Sequence, residues 1–334
     1  MADLAPSNRP TNPNQPFWDR DRRPAATERV VIEALKSFDE EDARQLKELL
    51  YHPDALRTLN NSVTNTTGFN QVSPETMVCI LKKLLQEANE IGELAPERRG
   101  KFESRLTQFL EHPNFVRLST KDQCALLQLQ TNEPYGQNAS LLRILKYNGG
   151  DGKPLLGSTD SRGKTLAENL VAYRDAKFHP DVTAAGISPQ GSFEAMLETL
   201  AEQLPDRDLG HRGPAALLCA MCRTEPAEYV RLVTDLLREK SASARGGTLL
   251  LADEMLALEK HRVRGVALAW STPSAIFEAA VLNHIAAGSF EYANDKLYDE
   301  LTPKQRNDGI AVLFGSKFAN ERFNGLVLPT QRQP

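Results

Sequence analysis

The stretch "SPETMVCILKKLLQEANEIG", residues 73–92, carries the signals from which the fold is read. Ser73 is of the type that caps a helix, because its hydroxyl accepts from an unpaired N–H of the first turn. Pro74 follows at the first helical position, where a missing N–H costs nothing. Glu75 and Thr76 occupy the first turn, and Gly92 is a helix terminator. The same helical grammar recurs along the chain. "ATERVVIEALKSF" (26–38) places Val30, Val31, Ala34, Leu35 and Phe38 on one face. "STKDQCALLQLQ" (119–130), "NASLLRILKYNGG" (138–150), "SFEAMLETLAEQL" (192–204), "EPAEYVRLVTDLLREK" (225–240) and "TPSAIFEAAVLNHIAAG" (272–288) repeat the pattern. Only "VRGVALAW" (263–270), "GIAVLFG" (309–315) and "NGLVLP" (324–329) read as strands. The expected fold is mainly α, built of stacked helical hairpins with a few short strands in the C-terminal half.

An internal echo supports paired helices. "LLYHPDALRTL" from Leu49 and "FLEHPNFVRLS" from Phe109 align His52-Pro53-Asp54 with His112-Pro113-Asn114. Each reads as one helix ending while proline opens the next. His179-Pro180-Asp181 is a third instance without the flanking pattern. These histidines are expected at helix ends near carbonyl groups, not as ligands.

At 334 residues the chain exceeds one ordinary core, so two domains or an elongated array are expected. Residues 1–24 hold five prolines and almost no aliphatic side chains, and read as a disordered tail. The division that follows is an N-terminal helical region over 25–148, a linker over 149–163 and a C-terminal, mainly helical domain over 164–328. The glycine-rich "NGGDGKPLLGSTDSRG" marks the linker. A net charge of −4 and an aromatic content of 7% argue against nucleic acid as a partner. The longest apolar run, Ala215 to Cys222, is far short of a membrane span. Four cysteines in so long a chain form no disulfide framework and suit a reducing cytosol.

Three places tempt a chemical reading. "GSTDSRGKT" (157–165) approaches a phosphate-binding loop, and "TLLLADE" (248–254) could supply a magnesium ligand after a strand. Five residues separate Gly157 from Gly163, one too many for the cradle, and both neighbourhoods have helical periodicity. In "TLLLADEMLALEKHR" that periodicity predicts a helix. Cys219-x-x-Cys222 lacks a second ligand pair for zinc, since Cys79 and Cys124 stand alone in other helices. Behind Pro214 it lies too deep in its helix for the dipole to activate a thiol, so both cysteines are expected as small core side chains. Cys124, near the start of a helix capped by Ser119 or Thr120, has His179 downstream, the minimum for thiol catalysis.

Residues 211–250 carry one resemblance. Gly213-Pro214-Ala215-Ala216, an apolar run, then "EPAEYVRLVTDLLREKSASARGGTL" is similar to the opening of papain-like cysteine peptidase domains. In these, CGPA begins a helix, P-x-x-Y follows, and a second helix ends in a small-residue turn. The resemblance places the nucleophile just before Gly213, where this chain has Arg212, and neither His261 nor His284 answers to the partner histidine. By that route it implies a catalytically dead copy.

The sequence therefore reads as a non-catalytic interaction protein, more an interaction module than an enzyme. Its polar, uncleaved N-terminus points to a bacterial effector, made in the cytoplasm and delivered into a host cell, with a host protein as partner. No metal or cofactor is expected. The alternative is a cysteine-dependent hydrolase or transferase using Cys124 and His179; a P-loop nucleotide-binding protein is the remote one.

Overall fold

The computed structural model describes residues 26–51, 73–91, 108–110, 112–130, 136–204, 214–252, 273–285 and 301–315. The tail, His52, Arg212, Asp253, Glu254, His261 and the segments 263–270 and 324–329 lie outside them. The described chain is mainly helical, with one two-stranded antiparallel sheet in its C-terminal half. It divides into two compact units between Gln128 and Leu129. The linker expected over 149–163 lies inside the second.

The first unit contains α1 (Ala26–Leu35), α2 (Glu40–Tyr51), α3 (Pro74–Ile91), the short α4 (Pro113–Arg117) and α5, which runs Thr120–Leu129. Helix α3 is central and packs on both α1 and α2. Val31, Ala34, Leu46, Met77, Ile80 and Leu81 form the apolar core there. Ser73 caps α3 as its sequence predicts, its Oγ accepting from the Thr76 N–H at 3.1 Å. Ser119 caps α5 in the same way, through the Asp122 N–H. Polar bonds also join α3 to α5: Thr76 Oγ1 donates to Gln123 Oε1 at 2.6 Å, and the Ser73 and Thr120 hydroxyls lie 3.2 Å apart.

The second unit holds α6 (Gln137–Leu145), a 3₁₀ turn (Leu155–Gly157), α7 (Leu166–Arg174), α8 (Pro180–Ala184) and α9 (Pro189–Gln203). Then come α10 (Pro214–Thr224), α11 (Pro226–Glu239), β1 (Ser241–Ala244), β2 (Gly247–Leu250), α12 (Pro273–Ile285) and α13 (Pro303–Phe314). Helix α11 is the axis: every residue from Pro226 to Leu237 is buried. It packs on α7, α10, α12 and β1. Two arginines close the C-terminal end of α9, Arg143 donating to the Ala201 carbonyl and Arg223 to that of Gln203.

Three expectations are corrected here. "GIAVLFG" is not a strand but the end of α13, whose start is set by a Thr302–Gln305 capping box with Pro303 at the first position. Thr248 to Leu250, expected to open a helix, form β2, paired with β1 in the register Ser241–Leu250 and Ala244–Gly247. The two described histidines of the His-Pro motifs are N-caps: His112 Nδ1 accepts from the Asn114 N–H and His179 Nδ1 from that of Asp181. They meet amide donors, not the carbonyls expected.

The segment 147–166 folds as two like loops in tandem. Gly149 donates to the Lys153 carbonyl, Gly152 to that of Gly149 and Leu155 to that of Tyr147. Eleven positions later, Asp160 donates to Lys164, Gly163 to Asp160 and Leu166 to Ser158 in the same pattern. Gly152 and Gly163 take the positive φ that this turn demands.

Candidate functional site

The most developed polar cluster grows from one face of α11. Glu228, Arg231 and Asp235 are spaced three and four residues apart, so they line up on one side of a helix. The opposite side carries Val230, Val233 and Leu237 among its core residues. Both sides are covered, because the second loop of the tandem and β1 lie over the charged one. Three ionised groups taken out of water must satisfy one another. Arg231 answers with a fork: Nε and Nη2 donate to the two Glu228 oxygens at 2.9 and 2.6 Å, and Nη1 donates to Asp235 Oδ2 at 2.8 Å. Its Nη2 also donates to the Ser243 carbonyl of β1.

The loop "TDSRGK" completes this cluster. The Ser161 N–H and hydroxyl donate to Glu228, and Arg162 donates to Asp235 at 2.9 Å. Asp160 organises the loop from within, accepting from the N–H groups of Arg162 and Lys164 and from the Asn169 side chain. Burial alone would raise the Glu228 pKa, but the hydrogen bonds from Arg231 and Ser161 outweigh it and hold the carboxyl below its ordinary value. Burial likewise opposes the Arg231 charge, and the Glu228 and Asp235 carboxylates more than restore it. The segment that imitates a phosphate loop thus directs its amide groups at carboxylates of the chain itself.

The thiols divide into two kinds. Cys79 and Cys124 are joined in a disulfide between α3 and α5, with Cα atoms 5.5 Å apart. The expectation of lone, reduced cysteines is corrected, and Cys124 in this state has no thiol with which to attack. Cys222 is fully buried and Cys219 half-buried. Burial raises both thiols, Cys222 most, the reverse of what a redox or nucleophilic cysteine needs.

Cys124 belongs to the first unit and His179 to the second. His179 caps α8, with its backbone N–H on the Leu237 carbonyl and Asp181 Oδ2 3.5 Å from its Nδ1. Lys240 donates to Asp181 and holds that carboxyl below its ordinary value, with His179 contributing least. Among the described residues no group of three or more His, Cys, Asp or Glu side chains could hold a metal ion. No described helix is long and apolar enough to cross a membrane. A shallow, open cleft of ≈460 Å³ is lined by Ala172, Asp175, Ala176, Lys177, Arg238 and Glu239, with charges of both signs.

Sequence reasoning missed the Glu228–Arg231–Asp235 row, although its signal was present in "EYVRLVTD". Charges of alternating sign at helical spacing also occur on solvated faces, and only the covering loop distinguishes the two cases. Neither a family model, nor a curated protein, nor a solved structure matches this chain.

Proposed function

We propose that this chain is a non-catalytic protein-interaction protein, a bacterial effector delivered into host cells. The observation that supports the first half is the engagement of Ser161, Arg162 and Lys164 backbone N–H groups by Glu228 and Asp160. The loop best suited to bind a substrate phosphate serves the fold instead. The disulfide speaks in the same direction, since the hydrolase reading needs a free thiol at Cys124. The delivery half draws on the polar, proline-containing residues 1–24.

Two assays test the halves separately. Deleting residues 1–24 should abolish export from a cell with a contact-dependent secretion apparatus; export at the full-length level would overturn delivery. Reduced full-length chain, offered ester and peptide substrates, should show no turnover and accumulate no acyl adduct at Cys124. An adduct there, with turnover lost on Cys124→Ala, would establish the hydrolase in place of the interaction reading.

A further inference from the structure

We propose that Cys79–Cys124 is a reversible thiol–disulfide clamp on the first unit, closed by oxidation and opened by an external dithiol. The bond joins the interiors of two helices 45 residues apart in sequence, and it is not the only link between them. Thr76 and Gln123 are bonded below it, and Ser73 and Thr120 meet beside it. The Gln123 amide is in turn held by the Phe115 carbonyl at 3.0 Å. Met77, Ile80 and Leu81 of α3 and Leu126 and Leu127 of α5 are fully or nearly fully buried. Breaking the S–S bond therefore leaves the helices docked and the two sulfurs facing each other, ready to re-form it.

The reduced state is provided for as well. Cys124 Sγ lies 3.8 Å from the Glu75 carbonyl, so a restored S–H has an acceptor without movement of the backbone. Both cysteines are half-buried, within reach of a small dithiol, whereas Cys222 in the second unit is sealed. The exchange balances simply. A thiolate of the dithiol attacks one sulfur, the Cys79–Cys124 bond breaks, and a mixed disulfide forms. The second thiol of the dithiol displaces it, leaving the reagent as a disulfide and both cysteines as thiols. Two electrons and two protons pass from dithiol to protein, and a disulfide of the same class drives the reverse. The inference is independent of the interaction reading and stands or falls with its own test.

The test uses the full chain purified without reductant. Maleimide labelling with peptide mapping should leave Cys79 and Cys124 unmodified before dithiothreitol and modify both after it. Reduction should lower the first unit's unfolding temperature by roughly 10 °C while helix content persists. Amide exchange should quicken in 74–91 and 120–129 and stay constant in 226–239. Oxidised glutathione should then restore the original trace. The Cys79→Ser/Cys124→Ser variant should match the reduced protein and ignore reductant. Labelling of either cysteine before reduction, an unmoved transition, or failure to re-form the same pair would each overturn the clamp.

Discussion

Gly246 shows how little room some positions leave. It turns the chain between β1 and β2, its N–H donates to the Val312 carbonyl, and a Cβ there would stand 2.0 Å from the Ala311 oxygen. The obstacle is helix backbone, which cannot swing aside. Gly246→Ala should cost about 2–3 kcal/mol in denaturant unfolding, whereas Gly150→Ala, with nothing within 4 Å, should be neutral or slightly stabilising. Glu278 of α12 is a second such residue. Burial raises its carboxyl from 4.5 to about 7, so the folded chain keeps a proton that the unfolded chain has lost. Stability contributed by that proton is complete below pH 4.5 and is lost as pH rises toward and through 7, by about 3 kcal/mol. Glu278→Gln should abolish that slope, unfolding like the parent at pH 4 and at higher denaturant than the parent at pH 8. A parallel loss in both proteins would place the titration elsewhere.

At the scale of elements, α11 and its covering loop share one set of charges whose members carry unequal weight. Arg231→Ala leaves Glu228 buried without its counter-charge and Asp235 with only the more exposed Arg162, and should destabilise by about 3–5 kcal/mol. Arg162→Ala removes only the more exposed partner of Asp235 and should cost about 1 kcal/mol or less. Chemical denaturation of the two variants compares them directly. The helices themselves were legible because their starts are punctuated. Pro74, Pro113, Pro180, Pro189, Pro214, Pro226, Pro273 and Pro303 each stand at the first position of a helix. The hairpin was not legible, since "SASA" lacks the branched or aromatic residues that favour strands, and its pairing is supported by packing on α11. "GIAVLFG" misled for the opposite reason: a short apolar run suits either element, and the deciding cap lies seven residues upstream at Thr302. His179 was visible as a helix boundary but not as a cap. His179→Asn should preserve the stability of α8, and His179→Ala should lose about 1 kcal/mol by thermal unfolding.

For the molecule as a whole, the consequence of a loop that binds its own carboxylates is indifference to nucleotides. A ligand at a hundred times its Kd would stabilise the fold by about 2.7 kcal/mol; ATP with magnesium should leave Tm unchanged, and a shift lost on Lys164→Ala would reverse that conclusion. The exclusion was half legible, because the glycine spacing was wrong on sight while two of the carboxylates that occupy the loop, Glu228 and Asp235, stand some seventy residues away, beyond any local pattern. That same distance imposes an order on the birth of the protein. A ribosome releases the chain from its first residue onward, so Ser161 and Arg162 emerge well before Glu228 and Asp235. Gly246 in turn emerges before Val312, whose carbonyl its N–H must find. Each closure waits on a later one, and the second unit becomes complete only when α13 has left the exit tunnel. A nascent chain stalled short of Val312 would present the hairpin turn without its seat, in the form most open to proteases and chaperones.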